Sequence, residues 1–188
     1  VHDLKPLTPL GSTTAQIDRF AGLTISECPD WALASLAARR GREQDTATAA
    51  QNLLGASLPD VAASATSGDF TAFWTGPQQW MIEAPHDSHE ELAAEVKSAV
   101  GDAASVTEQT DGWCRFDLEG TRCHDVLERL CNADTRAMIQ GQVTRTRLEH
   151  LGCFLICRTK DAHFSVIGPR SSAGSIHHAL TVAAASAI

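Results

Sequence analysis

Side chains able to do chemistry are plentiful in this chain, but few stand in a working arrangement. His86 and His89 lie three apart in His-Asp-Ser-His-Glu. A zinc site takes three or four ligands, and no third is evident here. Ser88-His89-Glu90-Glu91 reads instead as a capping box that opens a helix. His177 and His178 are neighbours on a predicted helix, so they point about 100° apart and cannot chelate together. A nucleophilic serine would want a Gly-x-Ser-x-Gly elbow. None occurs, and Ser172-Ala-Gly-Ser175 reads as helix-start chemistry. Neither a Gly-x-Gly-x-x-Gly fingerprint nor a phosphate-binding P-loop is present.

The six cysteines need geometry to judge them. Cys153 and Cys157 fall on a predicted strand, about 13 Å apart. Cys123 and Cys131 fall on a predicted helix, about 12 Å apart. A disulfide needs Cα atoms within about 7 Å, so neither local pair can bridge or share a metal. No Cys-x-x-Cys occurs, and reduced, mostly buried thiols are the better reading. Cys114 sits on the apolar face of its strand, while Cys28 has no assigned environment. Among the carboxylates, Asp111 is explained by a turn and Glu90 and Glu91 by the cap. Asp117, Glu119 and Glu149 remain, and nothing in their spacing chooses one. No catalytic, cofactor-binding or metal-ligating residue is therefore assigned. If the chain is an enzyme, Cys28, Cys114, Asp117 and Glu119 are the side chains to test. Trp74, Trp80 and Trp113 are the interface candidates, because tryptophans beside turns or on a polar strand face act as core lids or partner anchors.

The elements that must position these residues follow one plan: a hairpin, then a helix, three times over. Phe70–Thr75 and Gln79–Ala84 flank Gly76-Pro77, and a helix with Leu92, Val96, Ala99 and Val100 inward follows, ending at Gly101. Residues 105–110 and 113–118 flank Asp111-Gly112, a dipeptide suited to a type I′ turn. In the second strand Cys114, Phe116 and Leu118 face the core, and Trp113, Arg115 and Asp117 face at least partly to water. Helix 121–131 follows with Cys123, Val126, Leu127, Leu130 and Cys131 in one apolar stripe. Cys153–Arg158 and His163–Ile167 form the last hairpin, closed by a helix from about Ser172. A helix at 43–54 ends at Gly55. Trp31–Arg40 is rich in alanine and leucine, so its propensity is helical. Residues 1–28 read as an extended N-terminal arm, and 29–188 as one α+β domain with room for two lobes.

Composition narrows the class. Acids outnumber Lys and Arg 23 to 15, giving a net charge of -8. That balance argues against nucleic acid, whose binders concentrate cations. A local basic stretch nevertheless runs through Arg129, Arg136, Arg145 and Arg147. No apolar run approaches the roughly 20 residues that span a bilayer, and the N-terminus lacks the apolar core of a signal peptide. The expectation is a cytoplasmic protein with no membrane partner.

Several segments together resemble one family. Trp74-Thr-Gly76-Pro77-Gln-Gln-Trp80-Met-Ile is similar to the W-x-G-P-x-x-W-L element of sarcosine oxidase gamma subunits. Val106-Thr-Glu-Gln-Thr-Asp111-Gly112-Trp113 resembles their V-T-D-Q-S-D-G-W segment, and Leu118-Glu-Gly120 the following L-x-G. Arg145-Thr146-Arg-Leu-Glu-His150 resembles their R-T-x-L-x-H, and Arg170-Ser171-Ser-Ala173-Gly-Ser175 their R-S-x-A-x-S. Leu36-Ala-Ala-Arg39-Arg40-Gly41 and Leu58-Pro59 extend the likeness towards the N-terminus. Glu108 and Thr110 depart from the pattern's Asp and Ser but keep its polarity. The resemblance implies a heterotetramer of alpha, beta, gamma and delta subunits that oxidises sarcosine to glycine. Such a complex reduces oxygen to peroxide and can pass the one-carbon unit to tetrahydrofolate as 5,10-methylenetetrahydrofolate. It implies FAD, FMN and NAD with the larger subunits, zinc with the delta chain, and no cofactor or catalytic residue on gamma itself. It also implies the fold of the folate-binding domain of aminomethyltransferases, which pulls Trp31–Arg40 towards strand. A shared fold does not make a chain a folate binder. A stand-alone folate-binding or one-carbon-transfer protein is the alternative, and an unrelated acidic binding module a third.

Overall fold

The computed structural model describes residues 5–188. Its eleven strands, all antiparallel where paired, and four helices fall into two compact units. One is assembled from the chain up to Pro29 together with Asp111–Ile188; the other is the contiguous stretch Asp30–Thr110. The fold is α+β, with antiparallel sheets and helices.

The contiguous unit holds β3 (Trp31–Ala38), α1 (Glu43–Leu54), β4 (Ser64–Ser67), β5 (Phe70–Gly76), β6 (Gln79–Pro85), α2 (Leu92–Val100) and β7 (Ala104–Glu108). Its sheet runs β4-β5-β6-β3-β7. β3 is central, paired with β6 and β7, although its alanines favour helix. Tertiary pairing overrides that local preference. Ala32, Ala34 and Leu36 are buried on one face with Ile82, Ala84, Leu92 and Val96. α1 ends at Gly55, whose φ of 71° is the left-handed stop the sequence predicts. The capping box at Ser88 does not form. α2 starts at Leu92 without a side-chain cap, and Ser88 Oγ instead lies 3.4 Å from the Pro85 carbonyl. The His89 N–H bonds that same carbonyl at 3.0 Å and closes a turn there, so the chain enters the helix later.

The discontinuous unit holds β1 (Ile17–Phe20), β2 (Leu23–Glu27), β8 (Trp113–Glu119), α3 (Cys123–Leu130), β9 (Val143–Leu148), β10 (Leu151–Thr159), β11 (His163–Pro169) and α4 (Ala173–Ala187). Its sheet runs β1-β2-β8-β11-β10-β9. Cys114, Phe116, Leu118, Val126, Leu127, Phe164, Ile176 and Leu180 join in one buried cluster between strands and helices. The hairpin expected around Asp111-Gly112 is absent. β7 pairs with β3, whereas β8 pairs with β2 and β11. Thr110–Gly112 forms a single 3-10 turn between strands of different sheets. A turn dipeptide permits a reversal, but the partners available to each strand decide the pairing.

The segment read as an extended arm is more than that. Residues 17–27 form the β1–β2 hairpin, and β2 is an interior strand. The carboxylate of Glu27, 4% exposed, accepts the Leu10 N–H at 2.8 Å and the Gln16 N–H at 3.0 Å. The Arg170 guanidinium donates to the Leu7 carbonyl at 2.8 Å. The first four residues of that segment lie outside the described residues.

Gly120 allows the closest approach in the discontinuous unit. Its φ is 134°, and a Cβ there would sit 2.2 Å from the Gly22 carbonyl oxygen. Gly120→Ala should therefore destabilise by about 1–3 kcal/mol or more, as overpacking against fixed backbone does. A Cβ added at Gly174, in α4, would meet nothing within 4 Å, so Gly174→Ala should stabilise by up to about 1 kcal/mol. Paired denaturant titrations of the two variants check the contrast.

Candidate functional site

The most elaborate polar arrangement lies on β8 and its neighbours. Alternate residues of a strand share a face, so Arg115 and Asp117 lie together, opposite Cys114, Phe116 and Leu118. Both are 8% exposed, which corrects the sequence expectation that this face is partly wet. Arg115 grips Asp117 with two bonds, Nε to Oδ1 at 2.8 Å and a terminal nitrogen to Oδ2 at 2.7 Å. Ser165, fully buried on β11, donates its hydroxyl to Asp117 Oδ1 at 2.6 Å and accepts from Arg158 Nε at 2.9 Å. His163 Nε2 lies 3.1 Å from Asp117 Oδ2, within ion-pair reach though poorly directed for a hydrogen bond.

Burial alone would raise the Asp117 pKa. His163, Arg115 and Ser165 outweigh it and hold the carboxyl well below the usual range. A base whose pKa lies so far under neutrality is a poor proton acceptor. Asp117 is thus an anchored charge. Glu119 is exposed at the end of the same strand, 3.8 Å from His163 Nδ1.

The cysteines are also quiet. All six are free thiols. Burial, with the nearby negative charge of Asp117, pushes Cys28 up to about 12. Burial likewise pushes Cys114 and Cys123 up to about 12 and Cys153 up to about 11. Cys131 and Cys157 are raised by burial too. The thiolate is the nucleophile and metal ligand, and these sites suppress it. Among the described residues, no group of three or more His, Cys, Asp and Glu side chains is placed to hold a metal ion. His89 bonds Glu95 at 2.9 Å. His177 bonds Asp18 at 2.6 Å, and its neighbour His178 is exposed.

The three tryptophans differ. Trp80 is 9% exposed, packs in the core of the contiguous unit and donates its indole N–H to the Pro59 carbonyl at 2.9 Å. It serves its own core, which leaves little of it for a partner. Trp74 is half-buried against that core. Trp113 is half-buried, its ring 5.6 Å from that of Phe154. Sequence reasoning does not single out Arg115, Arg158, His163 or Ser165. The available signal is Arg115 and Asp117 at i and i+2, opposite charges on one face of a strand.

No protein-family model and no curated protein matches this chain. Solved structures do. A chain of the heterotetrameric sarcosine oxidase from Corynebacterium sp. U-96, in complex with pyrrole 2-carboxylate, superposes with a TM-score of 0.75 at 22% identity, covering 87% of this chain and 84% of that one. The glycine cleavage system aminomethyltransferase T from Bartonella henselae superposes with a TM-score of 0.62 at 13% identity, over 88% of this chain and 53% of that one. The chain thus spans about half the length of the aminomethyltransferase. These likenesses show a shared fold. Among the described residues, no helix is long and apolar enough to cross a membrane.

Two measurements probe the polar cluster. The depressed pKa of Asp117 makes its contribution complete above its unfolded value of about 4, and lost as pH falls further. Asp117→Ala should cost about 3–5 kcal/mol near neutral pH, because it strands a buried guanidinium. Asp117→Asn should cost less, and both deficits should shrink below about pH 4; urea titrations across pH check this. Secondly, at about pH 8 a thiol of pKa about 12 is thiolate in roughly one molecule in ten thousand. Iodoacetamide should leave Cys28, Cys114 and Cys123 unmodified in the folded protein and label them in denaturant, as peptide mass mapping would show.

Proposed function

We propose that this chain is the gamma subunit of a heterotetrameric sarcosine oxidase and serves that complex as a structural, non-catalytic part. The likeness to a chain of the Corynebacterium oxidase carries the reading. The superposition takes in most of both chains, 87% and 84%, so the likeness is not confined to one part of either. The ordered motifs from Trp74 to Ser175 point the same way. The chemistry is consistent with a supporting role: the buried thiols are held protonated and Asp117 is held ionised by Arg115 and Ser165.

In this reading the complex is a cytoplasmic oxidoreductase that converts sarcosine to glycine, with peroxide and 5,10-methylenetetrahydrofolate as further products. FAD, FMN, NAD and tetrahydrofolate belong to the other subunits, and zinc to the delta subunit. The partners are the alpha, beta and delta subunits, with no nucleic acid and no membrane. The likeness to an aminomethyltransferase keeps the alternative of a stand-alone folate-binding or one-carbon-transfer protein in view.

Native mass spectrometry after expression alone and with the three oxidase subunits separates the readings. The subunit reading expects one copy of each chain in a stable complex, and a lone chain that is flavin-free and poorly soluble. A lone chain that is well behaved, ignores those partners and binds tetrahydrofolate by calorimetry would overturn it in favour of the alternative.

A further inference from the structure

The discontinuous unit carries a basic cleft on an acidic protein. It is a broad opening of about 790 Å³ between the end of α3 and the β9–β10 hairpin, lined by Arg129, Asn132, Arg145, Arg147, Glu149 and His150 among others. The whole chain has a net charge of -8, yet three arginines face one carboxylate here. Among the described residues, Arg129 bonds only the Ser186 hydroxyl, at 3.2 Å, and neither Arg145 nor Arg147 has a carboxylate partner. Arg136, which the sequence groups with them, is engaged by Glu128 and Asp125 and takes no part.

The spacing of the free charges is specific. Arg145 and Arg147 alternate on β9, so both project from one face, about 7 Å apart along the strand. β9 is an edge strand of its sheet. Arg145 lies over the ring of Phe154, 5.8 Å from its centre. Such stacking holds a guanidinium in place and leaves its N–H edge for an acceptor. Opposite Arg147 stands Gly152, where a side chain would meet nothing within 4 Å. Room is therefore open beside the second arginine.

Alternate side chains of an extended peptide are also about 7 Å apart, so two carboxylates at i and i+2 can meet both arginines at once. A single small anion makes no use of that spacing. A nucleic-acid strand fits less well, because the lining offers no Phe, Tyr or Trp ring for successive bases to stack on. An enclosed small-molecule site is mostly apolar, whereas Arg145, Arg147, Glu149 and His150 are all exposed.

We propose that this cleft docks an extended acidic segment of a partner polypeptide, with alternate Asp or Glu carboxylates on Arg145 and Arg147 and Arg129 on the facing wall. The charge match stands by itself. Only the identity of the partner, another subunit of the oxidase, rests on the function proposed above.

The test has two arms. In the first, a fluorescein-labelled decaglutamate peptide is titrated into the full chain and followed by anisotropy. Saturable binding should weaken about tenfold or more in Arg145→Glu/Arg147→Glu, and similarly at high salt, as contacts between exposed charges do. The charge-matched control Arg39→Glu/Arg40→Glu, in the other unit, should bind like the wild type. No saturable binding, equal loss in the control, or tighter binding of a single-stranded oligonucleotide through the same arginines would overturn the proposal. In the second arm the wild type and Arg145→Glu/Arg147→Glu are co-expressed with the oxidase subunits. Weaker, more salt-sensitive assembly of the variant supports docking here. Equal assembly overturns docking and leaves the subunit reading intact. Failure of the wild type to assemble removes the subunit reading, and the peptide titration then decides the docking proposal.

Discussion

A bidentate pair between Arg115 and Asp117, out of water on a strand covered on both faces, is the constraint on which much of this molecule depends. Removing each charge from water costs several kcal/mol, and the loss is offset only when geometry and hydrogen bonds are complete. Here the carboxylate takes two bonds from Arg115 and one from Ser165 on the next strand, with His163 beside it. The β8–β11 register places Asp117 opposite Ser165 and Phe116 opposite Val166. A slip of one residue would exchange the two faces, exposing the phenyl ring to polar neighbours and the carboxylate to the apolar core. The polar cluster therefore makes the pairing at the centre of the sheet unambiguous. The high pKa of Cys28 follows in part from it, since Asp117 keeps its charge beside that thiol.

What the sequence can convey depends on whether a signal is local. The stripes of α2 and α3, the left-handed stop at Gly55 and the hairpins β5–β6 and β10–β11 are written within a dozen residues and appear where their residues predict them, except that Ala99 is exposed and Cys131 lies past the end of α3. β3 is ambiguous in sequence because its alanines favour helix, while two distant strands supply the pairing that makes it a strand. Asp111-Gly112 misleads for the converse reason: the turn signal is local, but the partners of β7 and β8 lie elsewhere. β2 hides in a segment without clear periodicity. The polar cluster joins β8, β10 and β11, and only its Arg-x-Asp nucleus is visible in the chain. By contrast, the basic stretch at 129–147 is visible in outline, and the structure decides which arginines are spent on neighbours and which face the cleft.

Charge thus has two uses in the discontinuous unit. In the interior it fixes strand register, and the carboxylate is held well below its usual range while burial raises the thiols above theirs. At the rim, beside β9, it is left unsatisfied and exposed. The first use leaves Asp117 held as an anion. The second is the charge that an anionic partner would meet.

The division of the chain has a consequence for how it reaches this state. β2 must find β8 across the whole of Asp30–Thr110, and closing so long a flexible loop carries an entropic cost and slows folding. If the inserted stretch folds first, most of that cost is removed. Its two ends are tied to each other: the Gln109 N–H bonds the Leu33 carbonyl at 2.8 Å, and the Leu33 N–H bonds the Thr110 hydroxyl at 3.0 Å. Once those bonds form, the segments bearing β2 and β8 emerge side by side, and a distant encounter becomes a local one. During synthesis the inserted unit is complete before β8 leaves the ribosome. The order of translation therefore matches the order in which the chain can most easily lose its entropy.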